Sequence, residues 1–285
     1  MSGRILVCDE WYPMDAVLGV LPDAERAAVA DGGPGVAALL VSPDSPVSAA
    51  DVGRMPDLRV IATASTGVDH IDAAAAADAG VQVRGAGNYC AEEVADHALA
   101  LLVAQLRGIP AQHRSVQAGE FDHRAGGVPR RLAGARLAVL GYGRIGRALA
   151  SRAEALAMDV RWYDPYVAGG EADLDALLGW AEAVSLHMPL TPETEGLLET
   201  RRLALLAPGT VLVNTARAAI VDRTAMLAAT HVRAAFDALW ERPPAADLLG
   251  HDHLVLTPYV AWYSAFTEVE PYLRAARAVA EVLAR

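Results

Sequence analysis

The 285-residue sequence predicts an α/β protein built on parallel sheets, and three observations carry that prediction. Short apolar runs recur along the chain without the polar–apolar alternation of a sheet that has one wet face. Continuous runs of this kind are strands covered on both sides. Ala- and Leu-rich stretches of helical length separate them, which is the order a parallel sheet needs for its crossovers. About halfway along, one apolar run ends in a glycine-spaced turn that opens a helix.

The strand candidates of the first half are "RILVC" (4–8), "AALLV" (37–41), "LRVIATA" (58–64) and "VQVRG" (81–85). "IDAAAAADAG" (71–80) reads as a helix ending at Gly80. The longest helix is "AEEVADHALALLVAQLR" (91–107), with acids in its first turn and Arg107 near its end, both suited to the helix dipole. Gly108 and Pro110 are expected to stop it. "QAGEFDHRAGGVPRR" (117–131) is turn-rich and reads as a loop. The remaining strand candidates are "RLAVLG" (136–141), "DVRWY" (159–163), "AVSLH" (183–187), "TVLVN" (210–214), "VRAAF" (232–236) and "HLVLT" (253–257). The tail, 266–285, is a helix of Ala, Arg and Glu.

Composition excludes several functions. The chain has 24 basic residues against 35 acidic ones, net charge −11, and none of the basic residues is a lysine. Schiff-base chemistry, a lysine base and a Walker-type phosphate lysine are therefore absent. An acidic surface disfavours nucleic acid. Cys8 and Cys90 are too few for a disulfide framework or a zinc site and suit a reducing cytoplasm. No leader-like segment opens the chain and no apolar run reaches about 18 residues, so no membrane span is expected. "HDH" (251–253) lacks the further spaced ligands of a metal site, and no metal is expected.

"RLAVLGYGRIGRALASRAEAL" is strand, then G-x-G-x-x-G at Gly141, Gly143 and Gly146, then helix. This is a dinucleotide fingerprint of the Rossmann type. Gly141 permits the tight turn, Gly143 lets the backbone approach a pyrophosphate, and Gly146 allows close helix packing. Arg144 and Ile145 complete the helix N-terminus, where the dipole favours an anion. Asp164 follows Gly146 by eighteen residues, near the spacing of an acid that grips the adenine ribose and repels a 2′-phosphate. The expected cofactor is NAD. Arg161, three residues before Asp164, weakens the preference over NADP.

Several stretches together resemble the D-isomer-specific 2-hydroxyacid dehydrogenases, especially the branch containing the C-terminal binding protein corepressors. They are "STGVDHID" (65–72), "NYCAEEVADHALALL" (88–102), "LGYGRIGRA" (140–148), "YDPY" (163–166), "SLHMPLTPETEGLL" (185–198), "VNTARAAIVD" (213–222) and "LTPYVAWYS" (256–264). The resemblance implies two Rossmann/flavodoxin-like domains with parallel sheets and an active site in an interdomain cleft. A substrate-binding domain would take residues 1–90 plus 265–285, and an NAD-binding domain residues 91–264. It implies a homodimer with the helix near 91–107 at the interface, and a small carboxylate substrate. Residue by residue, Ser65, Thr66, Gly67 and Val68 match the loop whose amides hold the substrate carboxylate. Arg217 matches the arginine that binds that carboxylate and polarises the carbonyl. His187, Thr215, Ala216 and Asp237 match positions near the nicotinamide and its ribose, although His187 could equally be a structural histidine. Trp262 is placed with the substrate.

Two positions depart from the family. Its proton donor is a His after "TP", and here that residue is Tyr259. Its partner Glu lies five residues past the position of Asp237, and here that residue is Arg242, with Glu241 one position away. A cation beside a phenol favours the ionised form, as a carboxylate beside an imidazole favours imidazolium. Tyr259 with Arg242 would thus keep a donor next to a partner of the matching sign. The expected function is an NAD(H)-dependent oxidoreductase of a small 2-oxo or 2-hydroxy acid. The alternative is an NAD-binding protein whose catalysis has decayed or is not redox, with Tyr259, Trp262 and Tyr263 acting as packing.

Overall fold

In the computed structural model, which describes residues 3–285, the chain divides into two compact units. One takes the described residues up to Cys90 together with Tyr263–Arg285, and the other is Ala91–Trp262.

The first unit holds strands β1 (Arg4–Val7), β2 (Ala24–Arg26), β3 (Val36–Val41), β4 (Val60–Thr63) and β5 (Gln82–Arg84). They form a parallel sheet in the order β2-β1-β3-β4-β5. Helices α1 (Met14–Leu18), α2 (Ala49–Arg54) and α3 (Ala73–Asp78) provide crossovers. Every residue of β3 is buried, which is why it reads as an unbroken apolar run. β2 has no such run, because it is a three-residue edge strand with Glu25 and Arg26 exposed. Ser48 and Asp72 cap α2 and α3 by accepting from the third amide of each helix. The last helix, α10 (Glu270–Leu283), packs against β3 and β4. Its inner stripe is Tyr272, Ala275, Ala276, Val279 and Val282. Arg59 donates from Nη2 to the Val282 carbonyl at 3.0 Å, satisfying a helix C-terminal acceptor.

The second unit has strands β6 (Arg136–Leu140), β7 (Asp159–Tyr163), β8 (Ala183–Leu186), β9 (Val211–Asn214), β10 (Arg233–Phe236) and β11 (Leu254–Leu256). The parallel order is β11-β10-β9-β8-β6-β7. Helices α4 (Ala91–Leu106), α5 (Ile109–Gln117), α6 (Arg144–Ala155), α7 (Leu174–Trp180), α8 (Thr200–Leu203) and α9 (Arg223–Ala228) complete it. Two apolar cores lie on opposite faces of this sheet, one built around Leu140, Leu178, Leu186 and Phe236, the other around Leu102, Leu137, Val139 and Leu149. α4 lies against β9 and β10, and Gln105 Nε2 donates to the Ala234 carbonyl at 2.9 Å.

Pro110 does not end a helix as expected; it sits in the first turn of α5. Gly108, at φ +67°, does end α4, and a proline is tolerated in the next helix's first turn because its missing N–H has no partner there anyway. The strand order reverses at β6, between β7 and β8, so the carboxyl ends of β6 and β8 mark the place where such folds bind ligands. Among the described residues, no helix is long and apolar enough to cross a membrane.

Candidate functional site

The glycine turn follows β6. Gly141 has φ +92°, and a Cβ there would lie 2.6 Å from the Met188 amide nitrogen, so only glycine fits. Gly143 caps α6, and nothing lies within 4 Å of where its Cβ would be. A Cβ on Gly146 would meet the Gly141 carbonyl oxygen at 2.1 Å. One glycine therefore makes the turn, one leaves open space, and one lets the helix approach its strand. Arg144, Ile145 and Gly146 lie in the first turn of α6, where amides have no preceding carbonyl to bond. Asp164, just past β7, accepts from the Tyr142 amide through Oδ2 (2.8 Å) and from the Tyr166 amide through Oδ1 (2.9 Å). Its carboxylate is thereby fixed beside the glycine turn. Tyr142 stacks on Trp162 with ring centroids 4.2 Å apart, and the Arg147 guanidinium lies 4.7 Å above Tyr142. The glycine pattern carries no sign of that stack.

The ends of β8 and β9 carry the next candidates. His187 Nε2 lies 2.8 Å from Ser185 Oγ, and the His187 amide donates to the Leu140 carbonyl. Burial lowers its pKa to about 4, so it is neutral at physiological pH. Thr215 is 9% exposed, and its hydroxyl makes no hydrogen bond among the described residues. A buried orphan hydroxyl at a strand's carboxyl end needs a partner. Asn214 accepts from the Ala216 amide at 3.0 Å and donates to the Arg217 carbonyl at 2.9 Å, bracketing the turn that delivers Arg217. Open space at Gly143, a fixed carboxylate at Asp164 and the orphan hydroxyl of Thr215 all fit a dinucleotide.

Tyr259 follows β11 and takes φ +58°, the left-handed region that a bulky residue rarely enters. The Arg242 guanidinium carbon lies 4.1 Å from the centre of its ring, and that of Arg217 lies 6.0 Å away. The structure therefore brings Arg217, Arg242 and Tyr259 together. The Glu241 carboxylate is turned to Arg223, 3.7 Å from Nε. Trp262 is half-buried at the end of this unit.

Asp237, 2% exposed, has a task that the sequence does not disclose. Oδ1 accepts from Thr257 Oγ1 (2.6 Å) and the Val260 amide (2.9 Å), and Oδ2 from the Ala261 amide (2.9 Å). Its carboxylate thus fastens the turn that carries Tyr259. His97, on α4, is a second residue that sequence reasoning missed; its Nε2 lies 3.2 Å from Thr257 Oγ1.

Ser65, Thr66, Gly67 and Val68 belong to the first unit, beyond the end of β4. Ser65 Oγ donates to the Gly67 carbonyl (2.6 Å), and Thr66 Oγ1 to the Gly87 carbonyl (2.7 Å). These bonds hold the loop while the amides of Thr66, Gly67 and Val68 make no hydrogen bond among the described residues. Three successive amides are thus left open to a ligand. No group of three His, Cys, Asp or Glu able to hold a metal occurs among the described residues. His251 Nε2 is taken up by the Asp247 carbonyl.

The profile of the NAD-binding domain of D-isomer specific 2-hydroxyacid dehydrogenases matches residues 99–261, more than half of the chain. The chain belongs to that family. It is 35% identical over 239 residues to the glycerate dehydrogenase of Methylorubrum extorquens, covering 77% of this chain and 74% of that one. It is 36% identical over 259 residues to the D-3-phosphoglycerate dehydrogenase of Mycobacterium tuberculosis, covering 86% of this chain but 47% of the relative, about half its length. Among solved structures, the TT0316 protein from Thermus thermophilus superposes with a TM-score of 0.84 at 30% identity, over 99% of this chain and 96% of that one. The second unit of this 2-hydroxyacid dehydrogenase family member is therefore an NAD-binding domain.

Proposed function

We propose that the chain is an NAD(H)-dependent oxidoreductase that interconverts a small 2-oxo acid and its 2-hydroxy acid, with Tyr259 in the role of acid and base. When bound, NADH supplies the hydride for the carbonyl carbon. In this reading Arg217 holds the substrate carboxylate and polarises its carbonyl. The amides of Thr66, Gly67 and Val68, with Ser65 bracing their loop, offer an anion-binding nest in the first unit, which is the substrate-binding domain. Gly141, Gly143, Arg144, Ile145 and Gly146 cradle the pyrophosphate, and Asp164 takes the adenine ribose. His187, Thr215 and Ala216 line the nicotinamide end, and Trp262 the substrate.

One observation carries the proton-transfer role: the stacking of Arg242 on Tyr259, with Arg217 within 6.0 Å of the same ring. A guanidinium over a ring face is drawn to its negative quadrupole and holds the ring in place while the hydroxyl gives its proton to the new alkoxide. Water then returns a proton to the phenolate. The pairing of sign that His and Glu provide elsewhere in the family is preserved with the signs exchanged.

The test is NADH oxidation against a panel of 2-oxo acids, run with wild type, Tyr259→Phe and Tyr259→His. Tyr259→Phe keeps the stack and removes the proton, so kcat should fall by about 10²–10⁴ while NADH affinity holds. Undiminished turnover in that variant would remove Tyr259 from the chemistry. Turnover appearing only in Tyr259→His would favour the second reading, an NAD-binding regulator in the corepressor-like branch with decayed catalysis. The absence of the family's His–Glu pair is what speaks for that reading. We also infer that the protein works as a homodimer in a reducing compartment. Four large apolar side chains, Ile109, Val116, Phe121 and Val128, are exposed within one 20-residue stretch, and neither cysteine is in a disulfide.

A further inference from the structure

A left-handed backbone is unfavourable for a residue as bulky as Tyr259, so something must hold it there. The Tyr259 amide has one contact within the turn, to the Thr257 carbonyl (3.0 Å), and the other bonds that hold it meet at Asp237. The Tyr259 amide donates to the Asp237 carbonyl oxygen (2.9 Å). The next two amides, of Val260 and Ala261, donate to its two carboxylate oxygens. From the other side of the turn, Thr257 gives its single hydroxyl proton to Oδ1 at 2.6 Å.

That last bond decides the state of His97. With its proton committed to Asp237, Thr257 Oγ1 can only accept in its 3.2 Å contact with His97 Nε2, so the imidazole must carry a hydrogen there. The donor chain runs from His97 Nε2 to Thr257 Oγ1 to Asp237 Oδ1. His97 Nε2 also lies 3.7 Å from Asp237 Oδ1. The imidazole projects from α4, the 16-residue helix packed on β9 and β10, a rigid base for the clamp. Without it, the Thr257 hydroxyl loses the donor that completes its bonding, and the aim of the turn loosens.

We propose that His97 is a positioning residue that acts through Thr257 and Asp237 to hold Tyr259 in its left-handed, Arg242-stacked pose. The effect on turnover rests on Tyr259 being the proton donor; the effect on the pose does not.

The experiment therefore reads both. The whole chain is labelled with 3-fluorotyrosine at its 8 tyrosines, and the Tyr259 line is assigned by its loss in Tyr259→Phe. His97→Leu removes the donor. His97→Gln keeps an N–H near the same place. Thr257→Val removes the relay oxygen and Thr257→Ser keeps it, which covers the case in which His97→Leu does not fold. His97→Leu and Thr257→Val should each shift or split the Tyr259 fluorine line and leave the other tyrosine lines in place. Both should lower kcat at least about tenfold with NADH affinity within about twofold, since a displacement near 1 Å can cost that much. His97→Gln and Thr257→Ser should restore line and rate together. A Tyr259 line unmoved in both His97→Leu and Thr257→Val overturns the proposal, as does a His97→Gln variant as impaired as His97→Leu. A wild type that reduces no 2-oxo acid would overturn the function above, while the fluorine line would still decide the clamp.

Discussion

Gly143 and Gly146 stand three residues apart in one turn and answer to different constraints. A methyl on Gly146 would press to 2.1 Å against a backbone oxygen that cannot swing away, whereas a methyl on Gly143 meets nothing in the chain itself. Gly146→Ala should therefore destabilise the second unit by about 1–3 kcal/mol, as overpacking does, and NADH binding should suffer as a consequence. Gly143→Ala should leave the melting temperature of the ligand-free protein nearly unchanged but, if the proposed cradle holds the pyrophosphate, weaken NADH at least about tenfold, because the added carbon would occupy that space. Thermal melts paired with NADH fluorescence titrations separate the two. Equal loss of stability in both variants would show that the open space at Gly143 has another use. The glycine spacing was legible in the sequence, and so was the aromatic cluster around Tyr259. The φ of Tyr259 was not, nor was the part played by His97, because Thr257 stands 160 positions away in the chain and only folding brings the two within hydrogen-bonding distance.

At the scale of elements, legibility followed burial. Eight of the ten strands that read as apolar runs hold buried residues; β5 and β7, at sheet edges, hold none but still carry half-buried Val83, Val160 and Trp162, whereas β2 is a three-residue edge with two exposed charges. α5 was hidden because Pro110 reads as a stop, although a proline serves equally well in a first turn. β8 shows how an element sets a side chain's charge. It delivers half-buried His187 to a place where desolvation of its ring holds it neutral, with a pKa of about 4. Its folded pKa lies below the ordinary histidine value of about 6.5. As pH falls from about 6.5 toward 4, the unfolded chain binds a proton that the folded chain refuses, so stability must decline across that window and recover as pH rises. His187→Gln cannot titrate. Urea melts at several pH values should give a shallower acid decline in the variant, by up to one proton in slope, or about 1.4 kcal/mol per pH unit. Identical slopes would mean that His187 takes up a proton in the folded protein.

On the scale of the whole molecule, each unit has its own sheet and its own apolar core, so neither borrows its basic stability from exposed surface. That makes the apolar stretch from Ile109 to Val128 harder to explain as packing. Phe121 is fully exposed and Val128 is 88% exposed, in a segment where folding had other residues to choose from. Exposed apolar side chains close together in sequence are candidates for a surface that another chain covers. If that chain is a second copy, both partners carry net charge −11, and association sets apolar gain against like-charge repulsion. Two consequences can be measured together by sedimentation. The particle should weigh about twice 29.9 kDa at micromolar concentration in about 0.15 M salt, and lowering the ionic strength should weaken the pair as the Debye length grows past about 8 Å. Phe121→Ser combined with Val128→Ser should shift the equilibrium toward single chains at least about tenfold while leaving the thermal stability of each unit and the affinity for NADH in place. A single-chain mass for the wild type under those conditions, or a variant that associates as well as its parent, would mean that these side chains face water for some other reason.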